Sequence, residues 1–181
     1  SERHPLPQIH INVSPTSMLQ PYFVEKLIEV GRTLPLVVEI VEDELPHEIG
    51  KFIEMLDILR NNGIVIALDD FGIGYSSLGR LAELGISKLK IDKSMLDRAE
   101  EKESAMQLLI GVIELSRRLE KQICVEGVER MEQLRFLRAH GVDCFQGYLA
   151  AKPMPWAAMR DMVQSGKPVQ CVFEEDGPEK K

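Results

Sequence analysis

The chain has 181 residues, 44% hydrophobic and 28% charged, as expected of a soluble globular domain, and the length favours a single domain with a sizeable core. Its formal net charge of -7 disfavours a role in coating nucleic acid, which needs a basic stripe; a small phosphate ester stays open, because bound cations reverse the field of an acidic site. No apolar run approaches the ~20 residues that cross a bilayer, and no basic segment followed by an apolar one marks a secretory signal.

The first residue is Ser1, as expected of a processed or excised piece. Ile9 to Val13 reads as a strand and Ser17 to Arg32 as a helix. Leu36 to Val41 is a strand, followed by a helix from about His47 to Asn61. Gly63 ends that helix and turns the chain into Ile64 to Leu68, a nearly continuous apolar run of the kind buried on both faces in parallel sheets. Ser76 to Leu84 looks helical and Ile86 to Ile91 extended. From Glu103 to Leu119 the residues Ala105, Leu108, Leu109, Val112, Leu115 and Leu119 recur at the helical period and form one apolar face. Gln122 to Val125 is a strand, Met131 to His140 a helix and Val142 to Phe145 a short strand. A helix starts near Pro155, suited to a first turn, and runs to Gln164. Val169 to Phe173 is a candidate seventh strand, and the charged tail Glu174 to Lys181 is expected to be disordered. The three cysteines, Cys124, Cys144 and Cys171, each sit in an apolar run, as reduced core thiols do in a reducing cytoplasm.

Repeated strand-then-helix units predict a parallel sheet with helices outside. An eight-unit barrel needs at least ~200 residues, so the expected architecture is an α/β, TIM-type barrel with a stave missing, filling residues 1–173. An open doubly wound sheet is the rival, but the Gly-rich dinucleotide fingerprint is absent.

The ends of these strands carry the informative residues. Asn12 ends the first, Glu39 lies near the end of the second, and Asp69 and Asp70 end the third. Lys90 and Asp92 stand at the fourth, Glu126 at the fifth and Gln146 after the sixth. In a parallel barrel such ends converge on one mouth, where barrel enzymes place their chemistry. Asn12, Glu39, Asp69 and Asp70 offer hard oxygen donors of the kind that suit Mg²⁺ or Mn²⁺. Adjacent aspartates can serve two ions, and two cations ~3.5–4 Å apart can support an in-line phosphoryl displacement. Lys90 is a cation beside this cluster, placed to hold the attacking water or to neutralise transition-state charge.

Asp69-Asp70-Phe71-Gly72-Ile73-Gly74-Tyr75-Ser76-Ser77 resembles the DDFGxGYSS signature of the EAL-domain cyclic di-GMP phosphodiesterases. Around it Asn12-Val13-Ser14, Glu39-Ile40-Val41-Glu42, Lys90-Ile91-Asp92, Glu126-Gly127-Val128-Glu129 and Gln146-Gly147-Tyr148 are similar to that family's N-x-S, E-x-T-E, K-I-D, E-G-V-E and Q-G-Y elements, in order. The resemblance implies a TIM-type barrel that hydrolyses one phosphodiester of cyclic di-GMP to linear pGpG, using Mg²⁺ or Mn²⁺ at a two-metal site. It implies Asn12, Glu39 and Asp69 as ligands of one metal, with Asp69 and Asp70 engaging the second. Lys90 would orient the catalytic water. Glu126 and Gln146 would join the metal-water and substrate network, with Asp92 on the substrate side, and Glu42 would anchor the loop after Asp70. Also implied are a homodimer, an upstream sensory or diguanylate cyclase domain, and a cytoplasmic location, either free or as part of a membrane-anchored protein. No polymeric nucleic acid or membrane contact is expected of this segment.

Two departures accompany the match. No Glu-Ala-Leu segment, which gives the family its name and a metal-binding glutamate, precedes Asn12, and Val41 stands where threonine is common. The isolated 181 residues are therefore expected to be weakly active or inactive. The competing reading is a non-catalytic module of the same fold that binds cyclic di-GMP or a protein; retained Glu39, Asp69, Asp70 and Lys90 favour the enzyme. An unrelated barrel metallohydrolase is a third. Read singly, Asn12 is a turn cap and Asp92 a structural hydrogen-bonding group. His4, His10, His47 and His140 lack ligand spacing and read as incidental, and Met154 and Trp156 read as packing residues.

Overall fold

The computed structural model describes residues 8–41, 44–45, 49–73, 79 and 83–165. Strands β1 (Ile9–Asn12), β2 (Leu36–Val41), β3 (Val65–Phe71), β4 (Lys88–Ile91), β5 (Gln122–Val125) and β6 (Cys144–Phe145) form one six-stranded parallel sheet. Each strand pairs with its neighbour in sequence, in the order β1-β2-β3-β4-β5-β6. A doubly wound sheet reverses its strand order at a switch point, whereas a barrel wall winds on in one direction. The sequential order rules out the open-sheet alternative.

The pleat sorts the strand residues into two sets. Leu36, Val38 and Ile40 of β2 join Ile66, Leu68, Leu89, Ile91, Ile123 and Val125 in the core beneath the helices. Between them Val37, Glu39, Ala67, Asp69, Lys88 and Lys90 turn to the opposite face, and these too are buried. The second set holds every buried charge of the strands, so the polar residues of this sheet share the face away from the helices.

Helices seal the other face by their spacing. In α3 (Gly50–Asn61) Phe52, Leu56 and Leu59 fall on one side and are fully buried. Burial of each such side chain is worth roughly 1.5–3 kcal/mol. In α5 (Glu103–Arg118) Leu109, Val112 and Ile113 do the same, and the buried Ser116 hydroxyl donates to the Val112 carbonyl at 2.8 Å.

Two helical expectations need correction. Ser17 to Arg32 is not one helix but two, α1 (Pro15–Met18) and α2 (Pro21–Gly31). Pro21 lacks an N–H and clashes with the carbonyl four residues back, so it starts the second helix instead of continuing the first. A helix not anticipated, α4 (Lys93–Glu101), lies between β4 and α5 and buries Met95, Leu96 and Ala99. Helices α6 (Met131–Ala139) and α7 (Trp156–Gln164) lie where expected. Trp156 is 75% exposed, so it is not the packing residue its apolar character suggested. The helix expected from His47 is seen from Gly50. The helix expected over Ser76 to Leu84 falls mostly outside the described residues, and the candidate strand at Val169 to Phe173, Cys171 and the tail from Glu174 fall wholly outside them. Cys124 and Cys144, in register on β5 and β6, are free thiols. Their hydrogen bond and burial push the Cys124 thiol up, which keeps it protonated.

Candidate functional site

The site begins with a departure from regular pairing in β3. Leu68 pairs with Leu89 and Phe71 with Ile91, so β3 spends one residue more than β4 over this stretch. The extra residue is a bulge at Asp69–Asp70, and Asp70 takes the left-handed conformation with φ 58°. In a regular strand adjacent aspartates point to opposite faces. The bulge re-aims them, so that Asp69, Asp70 and Glu126 each bring a carboxylate oxygen within 4.8 Å of the others. Aspartate tolerates this backbone conformation better than most residues. The Asp70 N–H donates to Asp69 Oδ1 at 3.0 Å, which fixes the first carboxylate against the second residue's backbone.

Lys90, one strand away, sits at the centre. Its Nζ donates to Glu39 Oε2 at 2.9 Å, Asp69 Oδ1 at 2.9 Å and Glu126 Oε1 at 2.8 Å, and the lysine is 4% exposed. Burial alone would favour the neutral amine, but the three carboxylates outweigh it and hold the ammonium above the ordinary lysine range. Glu39 is likewise buried, which by itself raises a carboxyl. Hydrogen bonds from His10 and Lys90 reverse this and bring it down to about 2. Glu126 ends on the other side of its ordinary value. Burial and the repulsion of Asp69 and Glu39 exceed the pull of Lys90, and its carboxyl is raised.

That imbalance tests whether cations fit. Three carboxylates, from Glu39, Asp69 and Glu126, meet one ammonium, and an Asp70 carboxylate oxygen lies within 4.8 Å of those of Asp69 and Glu126. A single positive charge cannot neutralise them, and Glu126 carries the excess. The donors are all hard oxygens, and Lys90 Nζ occupies a point where three of them converge. Such a set matches the demands of small divalent cations.

The strands fix the remaining candidates. Asn12 ends β1 in register with Glu39 of β2, where its side chain can join the same cluster. Gln146 follows β6, its N–H donating to the Val125 carbonyl at 2.9 Å and its carbonyl accepting from Val128 N–H at 3.1 Å. A Cβ at Gly147 would collide with the Val128 backbone, which explains glycine beside the glutamine. Asp92 caps α4: its Oδ1 accepts from Ser94 N–H at 2.8 Å. This is the structural role read from the residue alone. Glu129 pairs with Lys93 at 2.6 Å on the surface. Glu42 and residues 74–77 of the loop lie outside the described residues.

The sequence reading missed His10. Its Nδ1 lies 2.6 Å from Glu39 Oε1. The signal was the strand period, since His10 stands two residues before Asn12 on β1 and so shares its face.

Comparison with known proteins agrees with this geometry. Residues 1–153 match the family model described as EAL domain. The chain is 36% identical over 171 residues to the probable cyclic di-GMP phosphodiesterase PdeG of Escherichia coli (strain K12), covering 92% of this chain and 34% of that protein. It therefore spans about a third of this relative's length. The crystal structure of the EAL domain of Mycobacterium smegmatis DcpA superposes with a TM-score of 0.80 at 32% identity, over 87% of this chain and 73% of that one. Klebsiella pneumoniae BlrP1, solved with manganese and cyclic di-GMP, superposes with a TM-score of 0.73 at 29% identity, over 81% of this chain and 39% of that one. With a sequential parallel barrel wall and a carboxylate-lysine cluster at its strand ends, the chain belongs to the EAL domain family.

Proposed function

We propose that the protein to which this chain belongs hydrolyses cyclic di-GMP to linear pGpG with the help of two divalent cations, Mg²⁺ or Mn²⁺. The observation that supports it best is the convergence of Glu39, Asp69 and Glu126 on Lys90 Nζ, beside a bulge that adds Asp70. A cyclic dinucleotide bound with manganese in a relative of the same fold points to the substrate and to the class of ion.

Asn12, Glu39, Asp69 and Asp70 would hold the cations, with Glu126 facing them. When bound, the cations lower the pKa of water and neutralise the phosphoryl oxygens. This chain's own part is orientation. Lys90, held by Asp69 and Glu126, would orient the attacking water. Glu126, whose carboxyl is raised by burial, would accept a hydrogen bond from Lys90 beside that water. In the reaction the water oxygen bonds to phosphorus, one P–O ester bond breaks, and a proton ends on the leaving ribose oxygen. Gln146 lies at the same rim, on the substrate side, and Glu42 would anchor the loop after Asp70. A homodimer and an upstream sensory or cyclase domain belong to the same proposal.

The isolated 181 residues are proposed to turn over slowly or not at all, because they contain no Glu-Ala-Leu segment. The test is turnover of cyclic di-GMP with Mg²⁺ or Mn²⁺ by this chain and by a form extended upstream, with Glu39→Ala as control. Release of pGpG by the extended form, lost in Glu39→Ala, is the expected result. An extended form that binds the dinucleotide without cleaving it would replace the phosphodiesterase with a receptor of the same fold.

A further inference from the structure

Glu39 is 5% exposed, and both of its oxygens are engaged. His10 Nδ1 lies 2.6 Å from Oε1, and Lys90 Nζ lies 2.9 Å from Oε2. The two contacts come from opposite sides of β2, since β1 flanks it on one edge and β3, then β4, on the other. They also differ in how a cation would affect them. Lys90 shares its charge among Glu39, Asp69 and Glu126, so an arriving divalent cation competes with it for the same oxygens. His10 meets Glu39 at the other oxygen and from the other strand, and a cation at Oε2 leaves that contact in place.

An ionised carboxylate only accepts hydrogen bonds, so Nδ1 is the donor. The neutral Nδ1–H tautomer and the imidazolium both donate there, and the contact does not depend on the charge of the ring. A glutamate side chain has three rotatable bonds, and pinning one oxygen removes most of that freedom before any ligand arrives. Groups that hold a metal ligand by its second atom act in this way in metal sites generally.

We propose that His10 is a positioning residue for the metal centre: its Nδ1–H fixes Glu39 Oε1 so that Oε2 is presented to a divalent cation. The inference rests on the metal-centre reading above and assigns a role to a side chain outside the matched motifs. His10 touches neither the reacting phosphate nor the cation in this scheme; it works through Glu39.

The test is calorimetric titration of Mn²⁺ into the native chain and the form extended upstream, and into the His10→Ala and His10→Asn variants of each, with circular dichroism confirming that each is folded. The His10 side chain is 33% exposed, so the alanine variant keeps the sheet intact. His10→Ala is expected to bind Mn²⁺ about tenfold more weakly, and His10→Asn, whose amide Nδ2 stands near the lost Nδ1, to recover to within about threefold of native. A histidine that merely supports the strand would lower the melting temperature of the alanine variant and leave its Mn²⁺ affinity unchanged. Unchanged affinity overturns the assignment, and so does an asparagine variant as weak as the alanine one. A form extended upstream that takes up no Mn²⁺ at all removes the metal-centre reading, and His10's role with it. Normal uptake by native chain and His10→Ala alike removes only the inference about His10.

Discussion

Lys90 is one ammonium among three carboxylates, and the carboxylates do not share it equally. Glu39, with a second donor in His10, is held down at about 2, while Glu126 is raised by burial and by its neighbours. The signs for stability follow. A carboxyl depressed by folding stabilises the native state above its unfolded value, near 4.5, and loses that contribution as pH falls toward 2. A carboxyl raised by folding does the opposite, since its charged form is worse off in the native state than in the unfolded one. Glu39→Gln should therefore destabilise the metal-free chain at pH 7 by about 3 kcal/mol, the cost of breaking a buried ion pair. The deficit should shrink when the comparison is made near pH 3. Glu126→Gln should not lower stability at pH 7, because it removes an unfavourable charge. Urea denaturation of both variants without metal checks this; equal losses for the two would mean that Lys90 serves both carboxylates alike.

At the scale of elements, much of the fold could be read from periodicity, and the failures have local causes. The apolar run Ile64 to Leu68 and the helical period through Leu109 and Val112 mark their elements well, although Leu108, expected on the same face, is 58% exposed and Ile113 is buried instead. The bulge at Asp69–Asp70 was not legible, because nothing in two adjacent aspartates states that one residue is left unpaired. The identity of the site residues was carried by the motifs, but their convergence needed that bulge. Pro21 was a visible break that a continuous apolar pattern obscured. Helix α4 had readable signals in Asp92 before Ser94 and in Met95, Leu96 and Ala99, and was overlooked because charged residues dilute its face. Asp92 then acquires a testable duty. Asp92→Ala should cost about 1 kcal/mol in thermal or urea unfolding, and Asp92→Asn only a few tenths, since asparagine caps nearly as well. If Asp92 met substrate instead, the extended form carrying Asp92→Asn would show a raised KM with stability unchanged.

At the scale of the whole molecule, the carboxylates come from β2, β3 and the segment after β5, so their mutual repulsion acts between strands distant in sequence. Parallel strands joined by helices form late contacts of this kind, and like charges gathered at one end of the sheet work against closing it. Lys90 relieves part of this strain in the metal-free chain. A divalent cation held by Glu39, Asp69 and Asp70 would tie β2 to β3 with more charge than an ammonium carries. Because an unfolded chain cannot assemble these ligands, the binding energy becomes folding energy. At free Mn²⁺ near 100 times its dissociation constant the gain is about 2.7 kcal/mol. For a chain of this length that corresponds to a rise in melting temperature of roughly 5–10 °C. A thermal scan with and without Mn²⁺ should show such a rise for the native chain and none for Asp69→Asn. The same small shift in both would mean that the ion acts on the acidic surface at large, and the cluster around Lys90 would then be a structural salt-bridge network.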